Sequence, residues 1–210
     1  MVSSARHPTP IEGRKAGLSP EEIILRRVLK ASPQDLWLDT IRRTQTSQHD
    51  GLVYWMLNQT ECDFSIAVHA FYRSDPAQHL DDPKPLPSRP GASDIFASVL
   101  LNWDTGSYRS HKLMLTDIDV PPRELARVNQ KVMARPRGSL PFNIPSRFLN
   151  PEGGVALSLS QHILPDNARH LWPLYDALGL RVPDAPAGIR RKLVQAKRLL
   201  KKVYSRDFKG

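Results

Sequence analysis

A single cysteine, Cys62, excludes an intrachain disulfide and any zinc site built from cysteine pairs, and it suits a reducing compartment. No stretch approaches the run of about 20 apolar residues that a membrane-spanning helix requires. The first residues set Arg6, His7, Arg14 and Lys15 among Pro and Gly with no apolar centre, so they do not read as a secretory signal. These absences predict a cytoplasmic protein. The histidines are His7, His49, His69, His79, His111, His162 and His170, and no pair has the i, i+4 spacing that sets metal ligands on one helix face. Gly153-Gly154 lacks the further glycines, the preceding strand and the lysine of a phosphate-cradling loop. Cys62 and His69 would stand about 10 Å apart along a helix, out of hydrogen-bond reach for a thiol and its base. The sequence therefore assigns no catalytic residue, no metal and no cofactor, and it leans away from an enzyme.

What the chain does have is charge in one place. Formal net charge is +9, and residues 189–210 hold nine Lys or Arg against Asp207, so the remainder is nearly neutral. Charge confined to one element points to a partner surface, whereas evenly spread charge would speak only to solubility. On a helix, Ile189, Leu193, Ala196, Leu200, Val203 and Tyr204 share one arc, and Arg190, Arg191, Lys192, Lys197, Arg198, Lys201, Lys202 and Arg206 take the rest. Residues 186–210 thus read as a basic amphipathic terminal helix. Its apolar stripe can dock on the body and leave the basic face solvated. Alternatively that face, through Arg190, Arg191, Lys197, Arg198, Lys201 and Lys202, can meet nucleic-acid phosphate, an acidic protein or an anionic surface. A membrane is the weakest of these, since no Trp or Phe lies on the apolar arc.

Between the ends, residues 19–185 read as a mainly α single domain with Pro-rich loops, preceded by a flexible arm over residues 1–18. Ser19-Pro20-Glu21-Glu22 supplies an N-cap, a first-turn Pro and a capping-box Glu ahead of Ile23, Ile24, Val28 and Leu29. Ser32-Pro33-Gln34-Asp35 repeats the device before Leu36, Trp37 and Ile41. Leu52, Val53, Met56 and Leu57, then Asp63 as the cap of a helix carrying Phe64, Ile66, Ala67, Ala70 and Phe71, form a helical hairpin. Trp55, Phe64 and Phe71 belong to the predicted core. Pro76, Pro83, Pro85, Pro87 and Pro90 mark a loop that no regular element crosses, with disorder favoured over a binding role. Further helices are expected from Ser93, from Pro121-Pro122, and from Leu171 to a Gly179 cap. Residues 135–154 read as irregular, and the alternation of Val155, Leu157 and Leu159 admits one short strand pair.

Asn102-Trp103-Asp104-Thr105-Gly106-Ser107-Tyr108 sets two aromatics around a polar turn in which Asp104 can form an Asx-turn and Gly106 can take a positive φ. It reads either as a helix-ending turn with Trp103 and Tyr108 packed inward, or as a recognition site formed by Trp103, Asp104 and Tyr108. Tyr54-Trp55-Met56-Leu57-Asn58-Gln59-Thr60-Glu61-Cys62-Asp63, followed by Ile66-Ala67 and Phe71-Tyr72, resembles the core of the bacterial group known as the domain of unknown function 4274 family. There a Trp-x-Leu-x-x-Pro-x-Cys-Asp pattern precedes a small residue and an aromatic pair. The resemblance spans residues 50–110 and departs from the pattern at Thr60, where the family often has Pro. It implies a small helical cytosolic domain without established activity, of the kind encoded beside toxins and binding them, with Cys62 and Asp63 structural. The expectation is a non-catalytic binding protein with a protein partner, immunity-type. The alternative is a nucleic-acid-binding accessory protein acting through the basic helix.

Overall fold

The computed structural model describes residues 18–44, 47–155 and 171–181. Nearly all of the arm read over residues 1–18, the strand residues Leu157 and Leu159, and the basic helix over residues 186–210 lie outside the described residues. Among those described, the α-helices are α1 (Pro20–Lys30), α2 (Gln34–Arg42), α3 (Asp50–Leu57), α4 (Phe64–Arg73), α5 (Pro76–Asp81), α6 (Ile95–Asp104), α7 (Pro122–Met133), α8 (Ser146–Leu149) and α9 (Trp172–Ala177). The architecture is mainly α, as the periodicity implies. Asp63 and Ser110 form an isolated parallel bridge, a pairing apart from the strand expected around Val155 to Leu159.

Helix starts follow the capping chemistry, with instructive departures. Ser19 caps α1 by accepting the Glu22 N–H at 3.1 Å, while the Glu22 carboxylate pairs with Arg26 instead of closing a capping box. Ser32 does not open α2. Its hydroxyl turns back to the Val28 carbonyl at 2.7 Å and closes α1, and α2 begins after Pro33 with no side-chain cap. Asp63 caps α4 as expected, taking the Ser65 N–H at 3.0 Å. Asp94, one residue beyond Ser93, caps α6 through the Ala97 N–H at 3.0 Å. Gly179 follows α9 at φ +71°, the left-handed conformation that suits glycine.

The Pro-rich stretch corrects the loop reading. Pro76 is the first residue of α5, where a missing N–H costs nothing, and Ala77 and Leu80 are buried beneath it. The chain from 82 to 94 is irregular but anchored: Leu86 packs against the core and Tyr54 donates its hydroxyl to the Pro90 carbonyl at 3.1 Å. Backbone without regular structure is here held by side chains.

α4 lies at the centre. Residues 64–72 are all buried, and α2, α3, α5 and α6 pack around the helix. A helix with apolar side chains around most of its circumference must be enclosed in this way. Phe148 of α8 closes one end of the core, with ring centroids 5.4 Å from Phe64, 5.0 Å from Phe71 and 5.4 Å from Trp103. Phe64 and Phe71 are core residues, as expected. Trp55 is only half-buried and stacks on buried Trp37 at 5.3 Å, with the Arg26 guanidinium over it. Since Phe71 is fully buried, Phe71→Ala is expected to destabilise the protein by about 3–5 kcal/mol. Urea unfolding checks this; a loss below about 1 kcal/mol would place the ring outside a packed core.

Candidate binding face

α4 is enclosed, yet it carries Ser65 and His69 at i, i+4 and begins at Asp63, all three buried. Buried polar groups need partners, and all three find them on one stretch of chain, residues 110–119. Asp63 Oδ2 accepts from the Ser110 hydroxyl at 2.7 Å and from the Lys112 N–H at 2.9 Å. The Phe64 N–H donates to the Ser110 carbonyl at 2.7 Å. Next along the helix, the Ser65 hydroxyl donates to the Leu113 carbonyl at 2.8 Å. A further turn on, His69 Nδ1 meets Asp119 Oδ1 at 3.1 Å. The segment therefore runs along α4 in the same direction, stitched at both ends and in the middle.

The stitch at Asp119 is the strongest electrostatically. Its carboxylate is 1% exposed and also accepts Arg42 Nε at 2.7 Å, the Thr116 N–H at 2.9 Å and the Thr116 hydroxyl at 2.9 Å. Burial alone would push this carboxyl up, but hydrogen bonds from His69 and Arg42, with their charges, hold it well below the usual range. Asp39, buried against Arg43, moves the other way: burial pushes its carboxyl up by more than the Arg43 hydrogen bond and charge pull it down. The difference is the number of donors, and it makes Asp119 a fixed anion joining α2, α4 and the 116–119 turn. Cys62 is buried, its thiol pushed up by burial and then by the neighbouring Asp63 and Glu61; a thiol so held is a poor nucleophile. Among the described residues, no group of three or more His, Cys, Asp or Glu side chains is placed to hold a metal ion.

With its inner side occupied, the segment turns other side chains outward. Leu113 is buried, but Met114 is 37% and Ile118 57% exposed. Val155, 93% exposed, is brought alongside by the Gly154 N–H, which donates to the Leu113 carbonyl at 2.7 Å. This approach needs glycine: a Cβ at Gly154 would stand 2.2 Å from the Lys112 carbonyl oxygen, and one at Gly153 would stand 2.5 Å from the Leu115 nitrogen. The result is a segment with a fixed backbone that exposes the large apolar side chains of Met114 and Ile118.

The Trp103 turn feeds this edge. Gly106 takes φ +82°, as its sequence suggests, and Tyr108 takes φ +60°, a conformation costing a non-glycine residue of order 1–3 kcal/mol. Tyr108 is buried at 1% exposure and its hydroxyl accepts from Asn102 Nδ2 at 3.2 Å. Trp103 is half-buried on Phe64 and Phe148. The turn is thus packed inward, and only Asp104 of the three residues stays exposed. No Asx-turn forms at Asp104; the Gly106 N–H closes on the Trp103 carbonyl at 2.8 Å and the Thr105 hydroxyl on the Asn102 carbonyl at 2.9 Å. The basic candidates Arg190, Arg191, Lys197, Arg198, Lys201 and Lys202 lie outside the described residues. Met114, Ile118 and Asp119 escape a reading by periodicity because residues 110–119 have none. The available signal was Ser65 and His69, polar at helical spacing on an otherwise apolar helix. Comparison with family models, with curated proteins and with solved structures gives no match.

The Asp119 stitch sets a pH dependence. Its folded carboxyl titrates below the unfolded value of about 3.9, so its stabilisation is present above that value and is lost as pH falls through the lower folded value. Asp119→Asn, which leaves Arg42 and His69 without the buried anion, is expected to cost about 3–5 kcal/mol near pH 5. Urea titrations at a series of pH values should show the gap between wild type and variant narrowing below about pH 4. A gap constant down to about pH 2, or none near pH 5, contradicts the assignment.

Proposed function

We propose that this chain is a non-catalytic binding protein that receives a protein partner on the outer face of residues 110–119. The observation that carries this reading is the two-sidedness of that segment: its inner side is consumed by Asp63, Ser65 and His69, and its outer side displays Met114 and Ile118 beside Val155. Apolar side chains on a backbone already held in place spare a partner the cost of ordering that backbone, which leaves more of their burial for affinity. The resemblance of residues 54–72 to the domain of unknown function 4274 family favours an immunity-type role, in which the partner is a toxin neutralised by binding. A cytoplasmic setting belongs to the same proposal; among the described residues, no helix is long and apolar enough to cross a membrane. A second reading, a nucleic-acid-binding accessory protein, rests on the basic charge gathered in residues 189–210.

Site-specific photo-crosslinking separates the two. A photoreactive side chain at Ile118, introduced in the native cell, is expected to give one discrete protein adduct, lost when Met114→Asp is added and absent when the probe sits at exposed Arg89. Met114→Asp should leave the melting temperature within about 2 °C of wild type, as surface changes do. Adducts of equal yield at both probe positions contradict the proposal. Association that vanishes with nuclease, or that weakens steeply between about 50 and 200 mM salt, transfers the function to the basic segment.

A further inference from the structure

The end of α7 and the chain between α7 and α8 line an open cleft of about 490 Å³, within the range of about 300–1,000 Å³ typical of small-molecule sites. Its apolar lining comes from Val132, Leu140, Phe142 and Ile144. That lining is anchored, because Phe142 stands edge-on to Phe96 at 5.3 Å and Phe96 in turn stacks on Phe71 at 5.7 Å. The polar lining is Arg135, Arg137 and Asn143, with no Asp or Glu among the lining residues.

The two arginines are held differently. Arg135 donates Nη2 to the Leu80 carbonyl, which fixes its arm across the end of α5. Arg137 occupies the second position of a tight turn closed by the Ser139 N–H on the Pro136 carbonyl at 3.2 Å, with Gly138 at φ +76°. Arg137 is exposed, and among the described residues no carboxylate pairs with it. Of the other cations on α7, Arg127 pairs with Asp75 and Glu124 and Lys131 with Asp81, while Arg123 is exposed with no ion pair among the described residues. The lining itself carries two guanidinium groups and no carboxylate.

We propose that this cavity is a binding site for a small organic anion. A carboxylate or phosphate meets the Arg137 guanidinium, whose planar fork matches either group, with Asn143 as a further donor. The apolar body of the ligand lies on Leu140 and Phe142. A cation would be repelled by the two guanidinium groups, and a neutral apolar molecule would leave Arg137 without a counter-charge. This inference rests on different residues from the partner face and stands or falls separately.

Heteronuclear NMR on the full chain tests it with 4-phenylbutyrate, phenyl phosphate and the neutral 4-phenylbutyramide. At least one anion is expected to shift the amides of residues 135–144 saturably and to bind at least about tenfold more tightly than the neutral amide. The tighter of the two anions identifies the head group as carboxylate or phosphate. Arg137→Gln, an exposed substitution, is expected to keep the wild-type melting temperature and to weaken that anion about tenfold. The proposal is overturned if neither anion saturates below about 10 mM, if the neutral amide binds equally well, if the saturable shifts fall elsewhere, or if Arg137→Gln binds as wild type does.

Discussion

The structure depends on one constraint: a helix enclosed on all sides that nonetheless contains polar residues. α4 is buried from Phe64 to Tyr72 because its other side chains are apolar or small and four helices surround it. Leaving Ser65 and His69 unpaired there would cost on the order of 1–3 kcal/mol for each stranded group. The chain meets this demand with residues 110–119, whose carbonyls, amides and carboxylate face α4 in register with Asp63, Ser65 and His69. A segment that belongs to no helix or extended strand thereby becomes part of the core's polar framework.

That arrangement links packing to the proposed function. A segment whose inner face is fixed by buried hydrogen bonds presents its outer face with little residual freedom, and Met114 and Ile118 occupy that face. Tyr108, held at φ +60° and buried, accepts local backbone strain to aim the chain from α6 onto α4. Gly153-Gly154 closes against the same segment and brings Val155 to its edge. Asp119 completes the anchoring with charge, tying in Arg42 of α2. The cavity beside α7 uses different means, an aromatic wall, one guanidinium held by a backbone carbonyl and a second exposed at a turn, and would serve a different kind of ligand.

Much of the helical framework was legible because it rests on local chemistry. Ser19, Asp63 and Gly179 do at helix ends what their residue types favour, and the apolar residues around Phe64 and Phe71 lead directly to the core. Two misreadings were local competitions: Ser32 spends its hydroxyl on the Val28 carbonyl behind it, and Pro76 begins a short helix because Ala77 and Leu80 gain burial. The candidate face was not legible, for a different reason. Asp63 finds Lys112, and His69 finds Asp119, across about fifty residues of chain. No periodicity in residues 110–119 announces which of their side chains turn inward. The polar positions on α4 advertised that partners must exist without saying where they come from.

Native-state hydrogen exchange on the wild-type protein tests this account most directly. The Lys112 and Thr116 amides donate to the carboxylates of Asp63 and Asp119 and lie in a surface segment without regular structure. If residues 110–119 are an integral part of the core, those two amides should exchange as slowly as the amides in the middle of α4, through global unfolding. Exchange within about tenfold of the unstructured-peptide rate, while α4 remains protected, would show that the segment opens on its own and would contradict the account.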